Sequence, residues 1–161
     1  MSVRGKFDYY DEWDGFNLPS EVLKPFFEGA FDPLSDEEKS FLDIFRGRNG
    51  KFYIICTLEG GGLEALKHEL CHAMFYCKSD YKKQVLEVLN GYDTREIARH
   101  LINDLLYHPD VLVDEIHAYL LSEMEYLEEE GFDTTQYHEI HRRLNEIFER
   151  HSVTILSKKG R

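Results

Sequence analysis

A chain of 161 residues, 42% hydrophobic and 14% aromatic, has the length of one ordinary domain and enough apolar surface for its own core, which excludes an intrinsically disordered protein. Its formal net charge of -12, from 31 acidic against 19 basic residues, repels phosphate backbones and anionic lipid, so neither nucleic acid nor a membrane surface is an expected partner. The three cysteines, Cys56, Cys71 and Cys77, form no disulfide framework, the opening residues lack the apolar run of a signal peptide, and no stretch reaches the roughly 18 apolar residues of a membrane helix; the expectation is a soluble, cytoplasmic protein.

In chain order, residues 1–18 mix Tyr9, Tyr10, Trp13 and Phe16 with carboxylates. They read as a strand, a partner-binding segment or, by preference, an extended arm packed on its own domain. Residues 20–30 predict a short helix with Ser20 as N-cap and Pro25 in its first turns. Ser35-Asp36-Glu37-Glu38 is a capping box opening a helix through Arg46. Gly47-Arg48-Asn49-Gly50 is a turn, and Phe52–Thr57, short, aromatic and β-branched, is the clearest strand. No Gly-Lys-Ser/Thr follows Gly60-Gly61-Gly62, so this stretch reads as a flexible strand-to-helix connection rather than a phosphate loop.

Helices are expected over about 63–78, 80–90, 94–106, 110–129 and 134–150, with Asp80, Asp93 and Asp133 as N-caps and Gly91 and Gly131 as stops. Val153–Leu156 reads as a short final strand. The sum is an α+β fold in a single domain, 1–161: a small β-sheet at one side of a mainly helical body.

The sharpest feature is Leu66-Lys67-His68-Glu69-Leu70-Cys71-His72-Ala73. Residues four apart share a helix face, so His68 and His72 can aim both imidazoles at one point. Neutral imidazoles suit zinc, with nitrogens roughly 2.0–2.1 Å from the metal. Glu69 lies about 100° round the helix from His68, near such a metal but badly placed to ligate it, which suits a general base on zinc-bound water. His-Glu-x-x-His arises by chance in a chain this rich in both residues; its weight comes from its setting, inside a predicted helix that follows a strand and a loop.

A catalytic zinc site needs a third protein ligand and leaves one position for water. Glu115 is the best candidate, a lone carboxylate among Val111, Leu112, Ala118 and Tyr119 on its helix face. A buried carboxylate is unfavourable unless paired, protonated or bound to a cation, and pairing with an arginine or hydroxyl is the plain alternative. Asp114 and His117 are rival ligands, about 100° and 200° round the helix from Glu115. Asp114 can instead support a zinc-bound histidine from behind.

At these residues the chain resembles the gluzincins, zinc metallopeptidases with a His-Glu-x-x-His (HExxH) helix and a glutamate ligand on a later helix. Glu115-Ile116-His117-Ala118 is similar to the Glu-x-x-Ala pattern of several such families, and the likeness covers about residues 52–120. The resemblance implies a zincin-like fold, one Zn2+ bound by His68, His72 and Glu115, Glu69 as catalytic base, and a peptide or protein substrate lying along the edge of the Phe52–Thr57 strand.

Other residues admit plainer readings. Cys71 reads as a small core residue rather than a metal contact. Tyr119, Tyr107, His108 and His117 are candidates for stabilising an oxyanion, with packing or surface positions as the alternative. His138, His141, Arg142 and Arg143 read as a solvated face, and Glu128-Glu129-Glu130 as an exposed helix end. The rival functional class is a non-catalytic zincin-like binding protein with a structural or vestigial metal site. An intact Glu69 speaks against it.

Overall fold

The computed structural model describes residues 15–57 and 63–156. The expected arm around Tyr9, Tyr10 and Trp13 and the Gly60–Gly62 connection lie outside them. The chain divides into two compact units, Met1–Gly61 and Gly62–Arg161. Together they are mostly helical with a small two-stranded antiparallel sheet, an α+β composition.

In the first unit, β1 (Gly15–Pro19) pairs antiparallel with β2 (Tyr53–Thr57), Asn17 opposite Ile55. Tyr53 donates its hydroxyl to Asn17 Oδ1 at 2.6 Å, and Pro19 sits at the strand end, where a missing N–H does least harm. The expected helix over 20–30 is instead a 3-10 turn, Ser20–Leu23, running into the single turn α1 (Lys24–Phe27). Ser20 is not its cap: Pro19 holds that position, and Ser20 Oγ accepts from the Phe52 N–H at 3.3 Å. A contact across the sheet thus takes the hydroxyl from the local turn.

The capping box is present: Glu38 N–H donates to Ser35 Oγ at 3.1 Å, and Ser35 N–H to Glu38 Oε2 at 2.6 Å. It opens α2 (Asp36–Asp43), which ends short of Arg46 in tighter turns closed by bonds such as Phe45 N–H to Leu42 O. Leu23, Leu42 and Ile54 form the small core of this unit.

The second unit is a helical body: α3 (Leu63–Cys77), α4 (Ser79–Leu89), α5 (Arg95–Asn103), a 3-10 turn Pro109–Val111, α6 (Leu112–Ser122), α7 (Met124–Glu129), a 3-10 turn Thr134–Tyr137 and α8 (His138–Leu156). At its centre is α6, buried from Ile116 through Leu121 and packed against α3, α5, α7 and α8. Its second half, Ile116–Leu121, is buried on every side, which is stable only where neighbouring helices surround it.

Several boundaries differ from expectation for identifiable reasons. Helix α5 stops at Asn103, because Leu106 takes a left-handed φ of 59° and Tyr107 N–H turns back to Leu101 O at 2.9 Å, a stop marked by no glycine. The expected helix over 110–129 breaks at Glu123, where ψ reaches 30°. Ser122 Oγ bonds back to Ala118 O at 2.9 Å, a contact that bends helices, and Lys67 Nζ takes the Leu121 carbonyl at 2.9 Å.

Val153–Leu156 is not a strand but the end of α8: the helix that carries Ile140, Leu144, Ile147 and Phe148 into the core runs on through these residues. Asp80 lies inside the first turn of α4, Thr94 rather than Asp93 holds the cap position of α5, and Asp133 caps a 3-10 turn by accepting Thr135 N–H at 3.2 Å. No described helix is long and apolar enough to cross a membrane.

Candidate metal centre

Two helices build the site. On α3 the four-residue spacing puts His68 and His72 on the face turned to α6, rings 4.9 Å apart and steeply inclined, while Cys71, Met74 and Phe75 enter the core. The apolar face that buries α6 brings Glu115 in with it. Both His68 Nε2 and His72 Nε2 lie 3.6 Å from the same oxygen, Glu115 Oε2. The three ligand atoms lie within 4.8 Å of one another, and Glu115 Oε2 is buried without a hydrogen-bond partner. Tetrahedral zinc with ligands at roughly 2.0–2.2 Å keeps them about 3.3–3.5 Å apart, so the donor set fits zinc with a small inward adjustment.

The far side of each ring is occupied. His72 Nδ1 lies 3.1 Å from Asp114 Oδ1. His68 Nδ1 lies 3.2 Å from Ser122 Oγ and 3.5 Å from Glu123 Oε1. A proton held at Nδ1 against these oxygens leaves the Nε2 lone pair facing Glu115, the orientation metal-binding histidines need.

Burial opposes charge on His68, but the carboxylates of Glu115 and Glu123 outweigh it and push the imidazole up to about 9. Burial likewise opposes charge on Asp114, yet His117 and His72 hold it down to about 2. Without a metal the group holds a proton in the place where a divalent cation would compete for it.

Glu69 is half-buried, and its negative charge acts on His68, Cys71 and Tyr107. It stands beside the three converging groups and outside the set. Tyr119 packs edge-on to His68 with ring centroids 5.4 Å apart and meets Tyr107 at 6.2 Å. Burial raises both phenols, and the Glu115 charge adds to the rise, so both stay protonated.

The rival ligands lie elsewhere. Asp114 stands behind His72, and His117 is fully buried against Phe75 and Tyr81. Cys71 is a core residue whose thiol burial pushes well up. His108 is exposed beside Asp110. His138, Arg142 and Arg143 are exposed as expected, but His141 is half-buried and donates from Nδ1 to Leu120 O at 2.7 Å. Glu128, Glu129 and Glu130 are exposed, with Thr134 donating to Glu128 Oε1 at 2.6 Å.

Sequence reasoning missed Ser122 and Glu123, which fall inside the single helix expected over 110–129. Comparison with protein-family models, curated proteins and solved structures finds no match for this chain.

Proposed function

We propose that this chain is a zinc-dependent metallopeptidase with a zincin-like fold, holding one Zn2+ on His68, His72 and Glu115, using Glu69 as general base, and acting on a peptide or protein substrate. The observation that carries the reading is Glu115 Oε2, a buried carboxylate oxygen with no hydrogen bond, 3.6 Å from the Nε2 atoms of two histidines. A buried carboxylate must be paired with a positive charge; without metal the proton on His68 supplies it, and a cation between the three groups takes that place. Two imidazoles and a carboxylate suit zinc and leave a coordination position open for chemistry.

Zinc held there supplies a Lewis acid, acidifying water toward a pKa of about 7 and polarising the scissile carbonyl. The remaining work belongs to the chain. Asp114 behind His72, and Ser122 with Glu123 behind His68, hold the imidazoles with Nε2 inward. Glu69 takes the proton of the attacking water and passes it to the leaving amine. Tyr107 and Tyr119 keep neutral phenols beside these carboxylates and offer hydroxyl donors to charge growing on the carbonyl oxygen.

The test is metal analysis of protein purified without chelator, then digestion of casein by the wild type and by Glu69→Gln. Zinc bound in both with cleavage by the wild type alone is the expected result. Absence of zinc, or equal cleavage by both, overturns the proposal, whereas zinc with no cleavage by either favours a non-catalytic metal-binding protein.

A further inference from the structure

Lys67 stands immediately before the first histidine of the proposed metal set, and in a chain with 31 acidic residues this half-buried lysine gives its ammonium to uncharged oxygens. Nζ donates to Leu121 O at 2.9 Å on α6 and to Asn145 Oδ1 at 3.2 Å on α8, and lies 5.6 Å from the centroid of the Phe148 ring. Asn145 is held in turn, its Nδ2 donating to Glu149 Oε1 at 2.9 Å. The carbonyls in the last turn of a helix lack intrahelical partners, and a lysine side chain is a suitable substitute donor. Leu121 belongs to that last turn of α6, so Lys67 caps a helix end that has no glycine to close it.

Beyond the capped carbonyl the chain turns out of α6. Glu123 N–H donates to Tyr119 O at 2.8 Å, and Ser122 Oγ to Ala118 O at 2.9 Å. Ser122 Oγ and Glu123 Oε1 then lie 3.2 and 3.5 Å from His68 Nδ1. Two consecutive residues of α3, Lys67 and His68, thus meet consecutive residues at the end of α6, and what fixes one contact fixes the register of the other. We infer that Lys67 is a positioning residue for the metal centre: by taking the Leu121 carbonyl it sets the end of α6 so that Ser122 and Glu123 reach the outer side of His68. The inference rests on the metal reading above. A slide of α6 along α3 by one residue, about 1.5 Å, would break the Lys67 bond and carry both oxygens away from the ring.

Three substitutions separate positioning from packing. Lys67→Met keeps the stem and removes the donor, and Lys67→Gln, one bond shorter and uncharged, is the second variant. Zinc affinity, read by chelator competition, is expected to weaken roughly tenfold in each. Asn145→Ala removes the bond to α8 and leaves the one to Leu121; it should lower Tm and keep zinc affinity close to wild type. A double-mutant cycle gives the sharper result. In Ser122→Ala/Glu123→Ala protein, Lys67→Met should weaken binding no further, because the groups it positions are gone.

Amide hydrogen exchange in metal-free protein is a readout independent of zinc. The Glu123 N–H should exchange roughly tenfold faster in both Lys67 variants and at the wild-type rate in Asn145→Ala. If the wild type binds no zinc but shows this exchange pattern, the metal reading falls and the hold of Lys67 on the end of α6 stands. Wild-type zinc affinity in both Lys67 variants, an equal loss in Asn145→Ala, a loss undiminished in the Ser122→Ala/Glu123→Ala background, or unchanged exchange at Glu123 overturns the inference.

Discussion

Two of the histidine–carboxylate groups among the described residues of the second unit differ in construction, one around His100 and one around His68, His72 and Glu115. On α5, His100 is 8% exposed, yet it is fully satisfied: Nδ1 lies 2.9 Å from Asp104 Oδ2 and Nε2 lies 3.0 Å from the Tyr126 hydroxyl. Its carboxylate reaches solvent, with 65% of the Asp104 side chain exposed. On α3 and α6, only the outer nitrogens of His68 and His72 face partners of this kind. Their inner nitrogens converge on Glu115 Oε2, which is buried and has no hydrogen bond. Burial of a histidine therefore does not mark a site here. The proposed metal reading rests instead on three potential ligand atoms from two helices lying within 4.8 Å of one another.

The largest expected effects test that contrast directly. His72→Ala should weaken zinc binding more than about a hundredfold and abolish peptide cleavage, since it removes a ligand rather than a support. Titration with a zinc indicator measures the first, and a casein digest the second. Retained affinity would place the ion elsewhere. Next, Glu69→Gln should lower kcat roughly 10²–10⁴-fold while zinc affinity stays close to wild type, separating base from ligand.

The third effect is one of pH. In chelated protein His68 titrates at about 9, against an ordinary 6.5. The folded state holds this proton more tightly than the unfolded chain, so the stabilisation is complete below about 6.5 and is lost as pH rises through about 9. Its size is on the order of 2–3 kcal/mol, because burial limits screening. Thermal melts in chelator should therefore show Tm falling between these values. With zinc the sign reverses, because the ion displaces the proton and binds more tightly as pH rises. A flat Tm in chelator would contradict the close approach of Glu115 and Glu123 to His68.

The smallest effect belongs to the satisfied group. His100→Phe should cost about 1 kcal/mol through the lost Tyr126 contact, with zinc binding and cleavage unchanged. If it alters either, the two groups are coupled and the contrast fails.

Much of this was legible because it is local. The HExxH spacing placed His68 and His72 on one face wherever that segment is helical, and the apolar neighbours of Glu115 marked a carboxylate bound for the interior. The Ser35–Glu38 capping box and the strand expected over 52–57, observed as Tyr53–Thr57, were readable for the same reason, since each depends on residues within a turn or a pleat of one another. The break at Glu123 was not legible. No glycine or proline announces it, and it arises where Ser122 turns back on Ala118 while Lys67 on α3 takes the Leu121 carbonyl. That break brings Glu123 to His68.

The amino-acid order by itself determined the helical period of α3, the register of its two histidines and the apolar face of α6, because these follow from backbone geometry and hydrophobic spacing. Tertiary packing alone decided which carboxylate meets which ring: Glu115 between the two Nε2 atoms, Asp114 shared by His72 and His117, Glu123 behind His68, and Tyr81 behind His117. Those pairings depend on how α3, α4 and α6 lie against one another, and no spacing along the chain encodes the rotation of one helix relative to the next.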